Sequence, residues 1–193
     1  MNSWGKYLKE QNDLLLSNNE INDKLEHLSQ SIFRKSEEVN SIVFTAGNGG
    51  SATTADHFAA DLSLSRKRSG KLLRSICLNA HLGLNTALSN DISYEESLSS
   101  QLENYLDWPS TVVVFSASGN SKNIVRVLEV ASSAKIECWA FLGFDGGEAI
   151  KLTGVNSVLF PDKLRDYGRL ENAHLMAAHF VVDRVLSLLK GNI

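Results

Sequence analysis

The chain has 193 residues, 43% hydrophobic and 21% charged, with 22 acidic against 19 basic side chains and a net charge of −3. That length suits one domain over residues 1–193, read as N-terminal helices (1–38) and an α/β core (39–193), and the apolar share can bury a full core. The charge leaves no basic footprint for nucleic acid, no apolar run nears the roughly 20 residues that span a bilayer, and Met1 to Ser17 carries charges in place of an apolar signal core, so a cytoplasmic protein with no nucleic-acid or membrane partner is expected.

Leu8, Leu14 and Leu15, then Ile21, Leu25, Leu28 and Ile32, recur at helical spacing and predict two helices over 3–38, with nothing there that suggests chemistry. Ser41–Ala46 reads as a strand. It leads through Gly47-Asn48-Gly49-Gly50-Ser51 into a helical run, Ala52–Leu62, on which His57 and Asp61 stand four residues and about 40° apart. Arg66-Lys67-Arg68, with Lys71 and Arg74, reads as a solvated connection, or more sharply as a lip that steers phosphate. Further strands follow at Leu73–Leu78, Thr111–Phe115, Cys138–Phe144 and Ser157–Phe160. Between the second and third of these, Ser116-Ala117-Ser118-Gly119-Asn120-Ser121 opens a helix over Lys122–Ala134. Near the end Glu171 and His179 lie eight residues and about 80° apart on one helix face. Strands alternating with helices, some apolar at every position, predict a parallel sheet covered on both faces: three layers.

In such sheets ligands gather at the carboxyl ends of the strands. Glycines let a backbone approach an anion, and helix N-terminal amides favour one, so both loops can cradle phosphate. Either alone is more often a tight turn with a Ser or Asn cap; two on one sheet make that reading weaker. Neither matches the dinucleotide fingerprint or the P-loop. His57 with Asp61, and Glu171 with His179, can each aim at one point, and together they look like a metal site facing a sugar phosphate. Their alternative is solvated helix-face charge. His27, His81 and His174 stay unassigned. Cys77 and Cys138 read as buried free thiols, and Trp4, Trp108 and Trp139 as packing anchors.

Gly47 to Ala52, His57-Phe-Ala-Ala-Asp-Leu62, Ser116 to Ser121, Glu171 through His179 and the Asn-Asp pair in Ser89-Asn90-Asp91 resemble the sugar isomerase (SIS) family, within it the phosphoheptose isomerases. The resemblance runs from about residue 3 to the end. It implies a five-stranded flavodoxin-like parallel sheet and a homotetramer whose active sites lie between subunits, packed by the N-terminal helices. It also implies zinc held by His57, Asp61, Glu171 and His179, and a sugar phosphate held by Asn48, Gly49, Gly50, Ser51, Asn90, Asp91, Ser116, Ser118, Ser121 and Glu171. Asp61 would be the base and His179 the acid in converting sedoheptulose 7-phosphate to D-glycero-D-manno-heptose 7-phosphate, a precursor for lipopolysaccharide or capsule. Other members of the family are non-catalytic, a replication-initiator-binding tetramer among them, or are sugar-phosphate-binding regulators and lyases, and those readings stay open here. Four departures stand out: Asp61 where glutamate is usual, Glu171 for glutamine, Ala117 for threonine, and no Gly-Arg after Asp61-Leu62, with Arg66, Lys67 and Arg68 nearby but out of register.

Overall fold

The computed structural model describes residues 3–191. The two apolar stripes become helices α1 (Trp4–Leu15) and α2 (Ile21–Lys35). Ser3 caps the first, its hydroxyl accepting from the Lys6 amide, and Ile21, Leu25, Leu28 and Ile32 are the buried face of the second. Then follow β1 (Ile42–Ala46), α3 (Gly50–Ser63), α4 (Ser65–Ser69), β2 (Ser75–Cys77), α5 (Leu82–Asp91) and α6 (Ser99–Leu102), which runs into a 3-10 turn at Glu103–Tyr105. The chain closes with β3 (Ser110–Ser116), α7 (Lys122–Ser133), β4 (Glu137–Gly143), a 3-10 turn at Ala149–Lys151, β5 (Val155–Phe160) and α8 (Tyr167–Leu189).

The strands form one sheet in the order β2-β1-β3-β4-β5, every neighbouring pair parallel. This is the expected three-layer α/β architecture with flavodoxin-like order. Successive residues of a strand face opposite sides, so Val113, Phe115, Trp139 and Phe141 pack with α2, α3 and α8, while Val112, Val114, Ala140 and Leu142 pack with α7. Both faces are dry, which is why β3 is buried at every position and reads as a continuous apolar run. The strand order reverses between β1 and β3. The loops leaving their carboxyl ends therefore diverge to opposite faces and leave a crevice, the usual ligand position in an open α/β sheet.

One expectation is corrected. Trp4 is not a packing anchor: it is 72% exposed and stacks on Tyr7, because the buried side of α1 is carried by Gln11 and Leu14. Trp139 alone of the three is fully in the core, with Trp108 partly exposed. The basic stretch is solvent-exposed, as expected, and is itself helical. Ser65–Ser69 extends α3 by one more turn after Leu64, and Gly70, at φ +81°, ends it in the left-handed region.

Candidate functional site

The loop after β1 is as tight as its glycines allow. A side chain at Gly47 would collide with the Ser51 carbonyl, Gly49 has φ +54°, and a side chain at Gly50 would land on the Glu171 carboxylate. Asn79, which the sequence did not single out, fixes the loop from the strand β2 side: its amide accepts from the Gly47 N–H at 3.0 Å and donates to the Gly47 carbonyl at 2.9 Å. Asn48 faces the other way. It exchanges two 2.8 Å hydrogen bonds with Asn123 on α7, and Tyr94 Oη donates to its Oδ1 at 2.7 Å. The Asn48 side chain thus ties the two loops together across the crevice.

In the loop after β3, Ser116 Oγ accepts from the Gly119 N–H at 3.1 Å and Ser118 Oγ from the Asn120 N–H at 3.2 Å. Each hydroxyl hydrogen is left to donate to an anion. Ser121 caps α7 through its backbone carbonyl, which accepts from Ile124 and Val125, and its hydroxyl makes no capping bond. Gly119, at φ +63°, presses against the Gly146 carbonyl, the Ala149 N–H donates to the Gly119 carbonyl at 2.9 Å, and the Glu148 N–H donates to Asn120 Oδ1 at 3.0 Å. A third loop, after β4, therefore buttresses the serine loop. Its only signal in the sequence is the pair Gly146-Gly147.

Helices α3 and α8 lie side by side in the same direction, with Glu171 beside Gly50 at one end and His179 beside His57 about two turns on. His57 Nε2 is 3.4 Å from His179 Nε2 and 3.3 Å from Asp61 Oδ2. One donor atom from each of these residues lies within 4.8 Å of the others, the one group of three or more such donors among the described residues. The spacing has a chemical meaning. Four ligands at about 2.0–2.2 Å around zinc stand about 3.3–3.6 Å apart along the edges of a tetrahedron. The two separations made by His57 match such an edge and the third, between Asp61 and His179, lies within 4.8 Å, so two histidine nitrogens and a carboxylate oxygen suit a divalent cation in donor type and nearly in spacing. Asp61 Oδ1 accepts from Arg68 Nη2 at 2.9 Å, a contact that seven residues of separation did not single out.

Of the other expected site residues, Glu171 is half-buried with its carboxylate against Gly50, outside the group of His57, Asp61 and His179. Ser51 is buried in the first turn of α3. Asn90 donates to Asp91 at 2.8 Å at the exposed end of α5. The unassigned histidines have structural partners: His27 meets the edge of Trp139, His81 caps α5 by accepting from the Leu84 N–H, and His174 is buried among Phe115, Phe141 and Phe160. Cys77 and Cys138 are buried thiols, as expected; burial raises the pKa of both, Cys138 to about 12.

Residues 6–143 match the model of the SIS domain family, a match that ends before α8. Among sequence relatives, a phosphoheptose isomerase of Helicobacter pylori is 33% identical over 141 residues, covering 73% of this chain and 72% of the relative. One from Shewanella pealeana is 32% identical over 169 residues, 84% of this chain and 86% of the relative. A solved phosphoheptose isomerase structure from Francisella tularensis superposes with a TM-score of 0.85 at 20% identity, covering 96% of this chain and 98% of that one, which establishes a shared fold.

Proposed function

The chain belongs to the SIS domain family, and from that premise we propose that it is a sugar-phosphate isomerase acting on a heptose phosphate, interconverting sedoheptulose 7-phosphate and D-glycero-D-manno-heptose 7-phosphate in heptose synthesis for lipopolysaccharide or capsule. The observation that carries this reading is the convergence of His57, Asp61 and His179 on α3 and α8, about two turns from the glycine loop that opens α3 at the reversal point of the sheet. The named relatives, phosphoheptose isomerases, point the same way.

In this reading the phosphate sits in the loop Ser116 to Ser121, where Ser118 and Ser121 donate hydroxyl hydrogens and the α7 N-terminus favours the negative charge. Gly49, Gly50 and Ser51 present the backbone of α3, and Asn90 and Asp91 would meet sugar hydroxyls. Asp61 removes the proton from the carbon next to the ketose carbonyl and returns it to the former carbonyl carbon, while His179 gives a proton to one oxygen of the enediol and recovers one from the other. His57, Asp61 and His179 would hold zinc, and the ion would polarise the two reacting oxygens; Glu171, beside Gly50 and outside that group in the single chain, would face the sugar. Asp61 is one methylene shorter than the glutamate of the family pattern, so its position relative to the sugar depends on how firmly its carboxylate is held. Four copies in the cytoplasm, with α1 and α2 in the contacts between them, complete the proposal. Among the described residues no helix is long and apolar enough to cross a membrane.

The test is turnover of sedoheptulose 7-phosphate by purified protein before and after chelation, with elemental analysis of the same sample. Zinc-dependent conversion is expected, together with at least a hundredfold loss of rate in His179→Gln, the order of magnitude of one acid–base group. Bound metal with no conversion would move the search to other sugar phosphates. Neither metal nor conversion would favour a non-catalytic member of the family.

A further inference from the structure

We propose that Arg68 is a positioning residue for the candidate metal site: its guanidinium holds one oxygen of Asp61 so that the other faces the point shared with His57 and His179. This rests on the metal reading of that site. The two oxygens of Asp61 are divided between two partners, Oδ1 on Arg68 Nη2 at 2.9 Å and Oδ2 on His57 Nε2 at 3.3 Å. The terminal torsion of an aspartate is broad and nearly two-fold, so the side chain alone does not decide how its carboxylate plane is turned. A directed hydrogen bond on the oxygen away from the metal does decide it, as outer partners of metal ligands commonly do.

The fold delivers Arg68 to this place. It follows Asp61 by seven residues on a helical path that continues from α3 through Leu64 into α4, which sets it about 20° from Asp61 around the axis and two turns further on. Long side chains on a helix lean toward its N-terminus, here toward Asp61. The turn that carries it is pinned: Ser65 is fully buried, its Oγ accepts from the Leu73 N–H at 3.0 Å, and Ser69 Oγ donates back to the Ser65 carbonyl at 2.9 Å. Arg66 and Lys67 on the same turn are exposed and form no ion pair among the described residues, so the selection of Arg68 is a matter of helix phase and not of general charge.

The two roles an arginine could have at this point predict opposite signs. A guanidinium that only adds positive charge weakens the attraction for a cation, and its removal leaves zinc affinity unchanged or raises it. A guanidinium that orients the ligand does the reverse. Competition titration against a chromophoric zinc chelator, at fixed pH and salt, separates them. Arg68→Ala is expected to bind zinc about tenfold or more weakly than wild type. Arg68→Lys should fall between, since an ammonium keeps the charge without the planar fork. Arg66→Ala, which removes the same charge from the same turn, should bind as wild type does. Superimposable thermal melts confirm that the variants fold, and Arg68→Gln, which keeps more of the side-chain length, serves if Arg68→Ala does not. Zinc that binds to wild type, is lost in His57→Ala and binds undiminished in Arg68→Ala would overturn the role of Arg68 and leave the metal site standing. Wild-type protein that binds no zinc would overturn both.

Discussion

His174 is enclosed by three phenylalanine rings on the inner face of α8, and neither of its ring nitrogens makes a well-formed hydrogen bond. Burial disfavours the charged ring and lowers its pKa from 6.5 to about 4, against a weaker opposite pull from the Leu142 carbonyl. Once unfolded, the same histidine takes up a proton near its ordinary value. Between the two values the unfolded chain holds more protons than the folded one, so stability rises with pH there. The stability gained by keeping the ring neutral is complete above about 6.5 and is lost as the pH falls through about 4. Urea midpoints measured across this range should fall more steeply in wild type than in His174→Leu, which cannot titrate; parallel curves would mean that the ring is protonated, or wet, in the native core. His57 and His179, by contrast, stand at the exposed edge of their helices. On α8 the same residue type serves packing at His174 and, in the proposed function, chemistry at His179 within two turns, and the side of the helix decides which.

At the scale of elements, what matters most is the pairing of the loops after β1 and β3. Asn123 is 2% exposed, on the first turn of α7, and its two amide hydrogen bonds to Asn48 join the start of one helix to the loop that begins another. Removing it leaves the half-buried Asn48 amide with only the Tyr94 hydroxyl as partner, at a cost of about 1 kcal/mol. Asn123→Ala is expected to lose that much stability by urea unfolding and to raise the Michaelis constant for the sugar phosphate more than it lowers kcat, because it loosens the loops proposed to hold the ligand without touching Asp61 or His179. Asn123→Asp, which can accept from Asn48 but not donate, should recover part of the loss. Equal effects on kcat alone would show that the pair has no part in ligand binding. A second tie of this kind acts at the start of α8, where buried Arg169 pairs with Asp162 at 2.9 Å and with Glu10 of α1 at 3.3 Å, fixing the N-terminal helix to the helix that carries Glu171 and His179.

At the scale of the whole molecule, the single chain leaves apolar surface unspent. Leu16, Met176 and Phe180 border a groove floored by Ile21, Leu25 and Phe160, between the α1–α2 turn and α8, and α5 buries none of its ten residues. Exposed apolar area of this kind marks contact surfaces, and the proposed tetramer would cover it. Sedimentation equilibrium is expected to find four copies in wild type and fewer in Leu16→Glu, with the circular dichroism spectrum unchanged, since Leu16 is 72% exposed in the single chain and supports no core. A monomeric wild type would refute the tetramer without bearing on the fold.

Period and punctuation carried most of the architecture. The apolar stripes of α2 and α7, the fully apolar β3 and the glycines at 47, 49 and 50 are local facts, and local sterics and burial determine the elements they form. The four-residue spacing of His57 and Asp61 likewise fixes their shared face before any packing occurs. Only the tertiary structure decided that α3 and α8 run side by side, bringing His179 to within 3.4 Å of His57 across 122 residues of chain. It also decided that Arg68 reaches Asp61, that Asn79 and Gly146 brace loops distant in sequence, and that Trp4 faces outward while Trp139 faces in. These depend on which helices share a sheet face and in what register, and that choice minimises exposed apolar area over the whole chain, so no short window of sequence contains it.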